Sequence, residues 1–180
     1  QAYRQIHDKE MSPGQVTFVL ALQACGTLAE SGENISQIGQ PTLLISLHIG
    51  QALHADARWK GLALDMTISN TLVSMYGKCK AIFEAEYLCG RIQRNIVTWN
   101  AMLTAYSHHS CNITRALQFF KQMLQESTIP NRVTYLCILD ACVRHNAGVD
   151  NKTVLVMTAF SGFQTDVSLA TTAITLYGKL

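Results

Sequence analysis

Three sets of side chains in this sequence could recognise or transform another molecule: six cysteines, six histidines and a recurring set of asparagines. A zinc site needs closely grouped thiolates and imidazoles, usually as Cys-x-x-Cys or as two histidines on one helical face. No Cys-x-x-Cys occurs, and His48 and His54 lie six apart rather than the four that would put two imidazoles on one face. No nucleophile, base and orienting group can be assembled from the sequence. The expectation is therefore no catalytic residue, no metal and no cofactor, with Cys25 and Cys142 packed as small apolar side chains. The asparagines are different. Asn70 and Asn100 each follow an Asp or Asn, at 65 and 95, by five residues. An amide carries both a donor and an acceptor, so it can complement the Watson-Crick edge of a base splayed out of its stack. Asparagine at a helix start is also a common cap, and Asn95 and Asn131 suit that role as well.

The elements that would position these amides are helical. Between Asn95 and Asn131, Val97, Ala101, Leu103, Ala105 and Tyr106 predict a first helix with one buried stripe. His108, His109, Ser110 and Asn112 then predict a turn. Ala116, Leu117, Phe120, Met123 and Leu124 predict a second helix, which Pro130 stops. Two short helices cannot bury both apolar faces against each other, so the hairpin needs neighbours that repeat it.

The chain supplies them. The triplet Val-Thr-aromatic occurs at Val16-Thr17-Phe18, Val97-Thr98-Trp99 and Val133-Thr134-Tyr135, the last two starting 36 residues apart. Leu22-Gln23-Ala24-Cys25 returns as Leu139-Asp140-Ala141-Cys142, and Leu72-Val73-Ser74-Met75-Tyr76-Gly77-Lys78 as Ile174-Thr175-Leu176-Tyr177-Gly178-Lys179. These recurrences divide the chain into 1–14, the tail of a truncated repeat; 15–65, a long repeat; 66–95, a shorter one; 96–131, the central one; 132–166, a second long one; and 167–180, the start of another short one. The residues from Glu30 to Pro41 favour loops. They predict an insertion of about 16 residues near 29–47 between the two helices of the first long repeat, where added length costs little entropy. A translated intron would leave the same trace.

Composition allows a core, with 48% apolar and 14% charged residues, and a net charge of +2 neither demands nor excludes a nucleic acid. The longest apolar runs, Val16 to Cys25 and Thr153 to Phe160, fall short of the roughly 18 residues of a membrane helix, so no membrane partner is expected. Both ends look cut, and reduced thiols fit an intracellular compartment. The sequons at Asn34, Asn112 and Asn151 are read as accidental.

In this order, Asn95-Ile96-Val97-Thr98-Trp99-Asn100, Val133-Thr134-Tyr135 with Leu139-Asp140-Ala141-Cys142, and Leu72-Val73-Ser74-Met75-Tyr76-Gly77-Lys78-Cys79 resemble the pentatricopeptide repeat family. The closest likeness is to its plant subclass, in which standard, long and short repeats alternate. The central unit is one residue long near Ser110 and the short one is a residue short near Lys80. The resemblance implies an all-α, right-handed α-solenoid of helix-turn-helix repeats that reads single-stranded RNA at about one base per repeat. It places one reader in the first turn of each first helix and the other at the end of the repeat. The pairs are then Asn70 with Asn95, Asn100 with Asn131, and Leu136 with Asp166, while Thr171 lacks its partner. By the family's pairing rule two asparagines take a pyrimidine, so the expected preference from 5′ to 3′ is pyrimidine, pyrimidine, any base, purine. Ile96 and Met66 would flank bases by apolar contact. The resemblance further implies a mitochondrion or chloroplast, selection of sites for C-to-U RNA editing, protein editing partners, no small-molecule substrate and no enzymatic activity in this stretch. The competing readings are a tetratricopeptide-like scaffold for protein partners, against which the unequal repeat lengths argue, and a degenerate or mispredicted gene fragment.

Overall fold

The computed structural model describes residues 14–33, 39–108, 113–145 and 166–178. Among them are eight helices and no strand: α1 (Gln15–Glu33), α2 (Gly39–Trp59), α3 (Met66–Lys78), α4 (Ile82–Cys89), α5 (Ile96–His108), α6 (Ile113–Gln125), α7 (Arg132–His145) and α8 (Val167–Tyr177). The fold is all-α, and the helices fall into two compact units, Gln1–Gln93 and Arg94–Leu180.

In the first unit α1 packs on α2 and α3, α2 also meets α3, and α3 packs on α4. Phe18, Leu22, Leu53, Leu72, Val73 and Met75 are buried between them. Gly50 lets α2 close on α3, because a Cβ there would lie 2.4 Å from the Met75 sulfur. Much of the stretch near 29–47, expected to be loop, is helical among the described residues. Helix α1 continues to Glu33 and α2 already begins at Gly39; residues 34–38, with the sequon at Asn34, lie outside the described set. Pro41 is the third residue of α2, in a turn whose N–H groups have no helical partner, so it does not interrupt the helix. Ala29 of α1 and Ser46 of α2 are buried.

Three helix ends share one closure. Leu62 N–H bonds to Ala57 O and Gly61 N–H to Arg58 O after α2; Ala81 to Tyr76 and Lys80 to Gly77 after α3; Thr128 to Met123 and Ser127 to Leu124 after α6. Each is a Schellman turn around a left-handed residue, with φ of 71° at Gly61, 59° at Lys80 and 57° at Ser127. Lys80, where the short repeat is expected to be one residue under length, lies in the tight turn between α3 and α4.

In the second unit α5 packs on α6 and α7, α6 on α7, and α7 on α8. The first helices α5, α7 and α8 thus contact one another in succession. Trp99, Met102, Leu103, Phe120, Met123, Ile138, Leu139 and Leu169 are buried, each contributing roughly 1.5–3 kcal/mol by leaving water. Helix α6 buries Ala116, Leu117, Phe120 and Met123, as its spacing predicts, with Leu124 half-buried. Helix α5 departs from its predicted stripe. Val97 is 54% exposed and Ala101 half-buried, whereas Trp99 and Met102 are fully buried. The Arg94 guanidinium lies over the Trp99 ring, 4.8 Å from its centroid, and the Phe119 ring is tilted against it at 4.5 Å. The turn at His109, Ser110 and Asn112, and the second helix expected within 132–166, lie outside the described residues, as does the sequon at Asn151.

Candidate functional site

The residue that ends each repeat is the one that starts the next helix. Asp65 caps α3, its carboxylate accepting from Thr67 N at 2.9 Å and Ile68 N at 3.1 Å. Asn95 Oδ1 accepts from Val97 N and Thr98 N at 2.9 and 3.0 Å at the head of α5. Asn131 Oδ1 accepts from Thr134 N at 3.0 Å at the head of α7, and Asp166 accepts from Leu169 N at 3.0 Å at the head of α8. The capping reading of Asn95 and Asn131 is therefore correct, and it extends to both aspartates. At the asparagine caps the threonine of Val-Thr-aromatic returns the bond. Asn95 N–H donates to Thr98 Oγ1 at 3.2 Å and Asn131 N–H to Thr134 Oγ1 at 3.1 Å. That is a capping box with a hydroxyl in place of a carboxylate.

The proposed central readers meet across the α5 and α7 contact. Asn100 Nδ2 donates to Asn131 Oδ1 at 3.2 Å, and the Thr134 hydroxyl lies 2.7 Å from Asn100 Oδ1 and 3.0 Å from Asn131 Oδ1. Thr134 has one hydroxyl proton, and the shorter contact assigns it to Asn100. The amide orientations follow from the pattern. Thr134 N–H fixes Asn131 Oδ1 as an acceptor, and that oxygen can only face an Asn100 N–H. Both side-chain oxygens are thereby engaged within the protein. The Asn131 Nδ2 makes no hydrogen bond among the described residues, and Asn100 Nδ2 retains a second N–H. Both asparagines are half-buried.

The other expected pairs differ. Asn70 is half-buried in α3 of the first unit and Asn95 belongs to the second. Leu136, half-buried in the second turn of α7, has no polar side-chain atom to offer. Asp166 is held by the Arg132 guanidinium, whose Nε and Nη2 both donate to it, Nη2 reaching Ser168 Oγ as well at 3.1 Å. The Arg132 bond, helped by the Leu169 N–H, holds the Asp166 carboxyl below its ordinary range. Thr171 is exposed and its hydroxyl donates to Val167 O at 2.7 Å. Among the proposed flanking aliphatics Met66 is exposed and Ile96 half-buried, and Val97 and Val133, at the second position of α5 and α7, are exposed as well. Sequence reasoning missed Thr98, Thr134, Arg132 and these two valines as parts of the site. The signal was the Val-Thr-aromatic triplet, used only as a repeat marker.

Among the described residues no cluster of His, Cys, Asp and Glu could hold a metal. His54 Nδ1 and the Tyr76 hydroxyl share a 2.9 Å hydrogen bond, burial lowering the histidine and pushing Tyr76 up to about 12. Burial also raises Cys79, to about 11, so this thiol stays protonated. A hollow of about 310 Å³ in the first unit, bordered by His54, Arg58, Leu64, Tyr87 and Arg91, contains none of the expected readers. No helix is long and apolar enough to cross a membrane among the described residues.

Residues 94–144, which contain α5, α6 and most of α7, match the model of the PPR repeat family. A mitochondrial pentatricopeptide repeat-containing protein of Arabidopsis thaliana is 31% identical over 78% of this chain and 14% of its own length. Two chloroplastic proteins of that repeat class, also from Arabidopsis thaliana, are 29% identical over 98% of the chain and 37% identical over 54%. The chain spans 30% and 11% of those two proteins, so it corresponds to a minor part of each relative. Matching helical hairpins, shared caps and relatives of one repeat class lead to one assignment: the chain belongs to the pentatricopeptide repeat family.

Proposed function

We propose that this chain is part of a single-stranded RNA-binding array in organelle RNA processing, with Asn100 and Asn131 reading one base. The observation that carries the reading is the hydrogen bond between Asn100, in the second turn of α5, and Asn131, at the head of α7. The relatives named mitochondrial or chloroplastic support an organelle of either kind. The unequal spacing of the caps at 65, 95, 131 and 166 supports the subclass with alternating repeat types and, through it, selection of cytidines for C-to-U editing with protein editing partners. Any deaminase chemistry belongs to another polypeptide region.

The pair's chemistry favours a pyrimidine on physical grounds. With both amide oxygens engaged within the protein, what the pair offers is chiefly N–H donors. Cytosine and uracil each present two acceptors and one donor on the Watson-Crick edge, whereas adenine presents one acceptor and guanine one acceptor beside two donors. A donor-rich pair therefore matches either pyrimidine better than either purine. Val97 and Val133 flank the pair with exposed apolar surface on which a base can rest. Thr171 begins a purine-reading pair. Leu136 with Asp166 leaves its base unspecified, since one is apolar and the other is bound to Arg132.

The test is binding of the full chain to RNA oligonucleotides that differ at one base in the register of residues 96–131. Pyrimidines should bind about tenfold more tightly than purines, the worth of one well-placed hydrogen bond, and Asn100→Thr should change that ranking. An unchanged ranking in Asn100→Thr would sink the reading.

A further inference from the structure

We infer that Thr134, which belongs to the following repeat, is a positioning residue for the reader Asn100 and determines which face of its amide meets a base. This rests on the proposed reading of RNA by Asn100 and Asn131. Thr134 is 0% exposed, so it cannot itself touch RNA in this arrangement. Its hydroxyl accepts from Asn131 N–H at 3.1 Å and donates to Asn100 Oδ1 at 2.7 Å, while its own N–H fixes Asn131 Oδ1. The bond to Asn100 bridges 34 residues of sequence. Without the hydroxyl, Asn100 Oδ1 would lose its donor and become available to accept from a base. The pair would then offer an acceptor as well as donors and match purine edges nearly as well as pyrimidine ones. Valine has the shape of threonine and no hydroxyl, so it isolates this effect from packing. Valine keeps the forward cap bond from Thr134 N–H to Asn131 Oδ1 and loses the returning bond from Asn131 N–H, a loss that weakens the helix start without changing which atoms of Asn100 face a base.

The experiment compares wild type, Thr134→Val, Thr134→Ser and Asn100→Thr in the full chain, using RNA oligonucleotides varied at the base in register with residues 96–131 and, as an internal reference, at the base in register with residues 66–95. Thr134→Val should reduce pyrimidine over purine discrimination by about tenfold at the first base only. Thr134→Ser should restore it. If Asn100→Thr alters discrimination but Thr134→Val leaves it at the wild-type ratio, the inference is overturned and the RNA reading stands. If wild type shows no preference at that base, the RNA reading falls and takes this inference with it. Should Thr134→Val fail to fold, side-chain amide NMR of wild type decides. One slowly exchanging Asn100 amide orientation supports the role, and two interconverting orientations overturn it.

Discussion

Helices α5 and α7, started by asparagine, and α3 and α8, started by aspartate, solve the same problem with different surroundings. At the asparagine starts the third helical residue is a buried threonine, Thr98 or Thr134, which completes a reciprocal box, and the fourth is an aromatic, Trp99 or Tyr135. At the aspartate starts the third residue is a buried aliphatic, Ile68 or Leu169, and no hydroxyl is available to return the bond. There a distant donor comes in. Gln15 Nε2 reaches Asp65 Oδ1 at 2.8 Å, and Arg132 grips Asp166. The difference teaches that the core's demand at the third position decides whether a cap is self-sufficient. It also bears on chemistry, because Thr134 contacts both Asn131 and Asn100, which bond to each other directly as well.

The strongest way to break this comparison is Asn131→Ala. It removes the cap of α7 and strips Asn100 Nδ2 of its partner, and should cost about 2 kcal/mol. Chemical denaturation of the full chain measures it, and a loss no greater than that of an exposed alanine substitution would refute the shared role. Asp166→Asn should cost less at neutral pH, since asparagine also caps, and should change the pH response instead. The Asp166 carboxyl is depressed by Arg132, so its stabilising contribution is complete above the unfolded value near 3.8 and lost as pH falls through the lower folded value. An acid titration followed by circular dichroism should lose this component in Asp166→Asn; an identical acid limb would contradict it.

A smaller effect is expected at α3. Gln15→Ala removes an exposed donor to Asp65 and leaves both backbone cap bonds in place, so a loss of about 0.5 kcal/mol is expected from thermal unfolding. The smallest sharpens the comparison from the other side. Helix α1 starts at Gly14, with Thr17 at the third position but no cap side chain. Gly14→Asn would complete an asparagine box and should stabilise by a few tenths of a kcal/mol. Destabilisation there would show that Thr17 cannot play the part of Thr98.

The hairpin from Asn95 to Asn131 was legible because apolar spacing reports burial and Pro130 marks an end. Caps were legible as residue types. What escaped depends on closure over long sequence distance: Arg132 to Asp166 spans 34 residues, as does Thr134 to Asn100, and neither bond exists until α7 has packed on α5 and α8. Val97 was expected inside because periodicity counts residue types, but it is the second residue of its helix and stands open. The ends of the stretch from Glu30 to Pro41, helical up to Glu33 and from Gly39, have a composition that resembles a loop. Proline in a first turn is compatible with helix, and composition does not distinguish the two.

The caps also bear on how such a chain can change by recombination. On the proposed reading, Asn131 completes one reader pair while it begins the next helix, and Thr134 three residues later serves the pair behind it. A crossover between these two residues would join one parent's cap to another parent's hydroxyl and hand on a reader with an altered tether. Exchange inside α6, whose outward residues meet solvent, would carry the whole junction intact. If the pair reads a base as proposed, the unit of inheritance for base preference runs from the middle of one hairpin to the middle of the next, out of step with the repeat seen in the sequence.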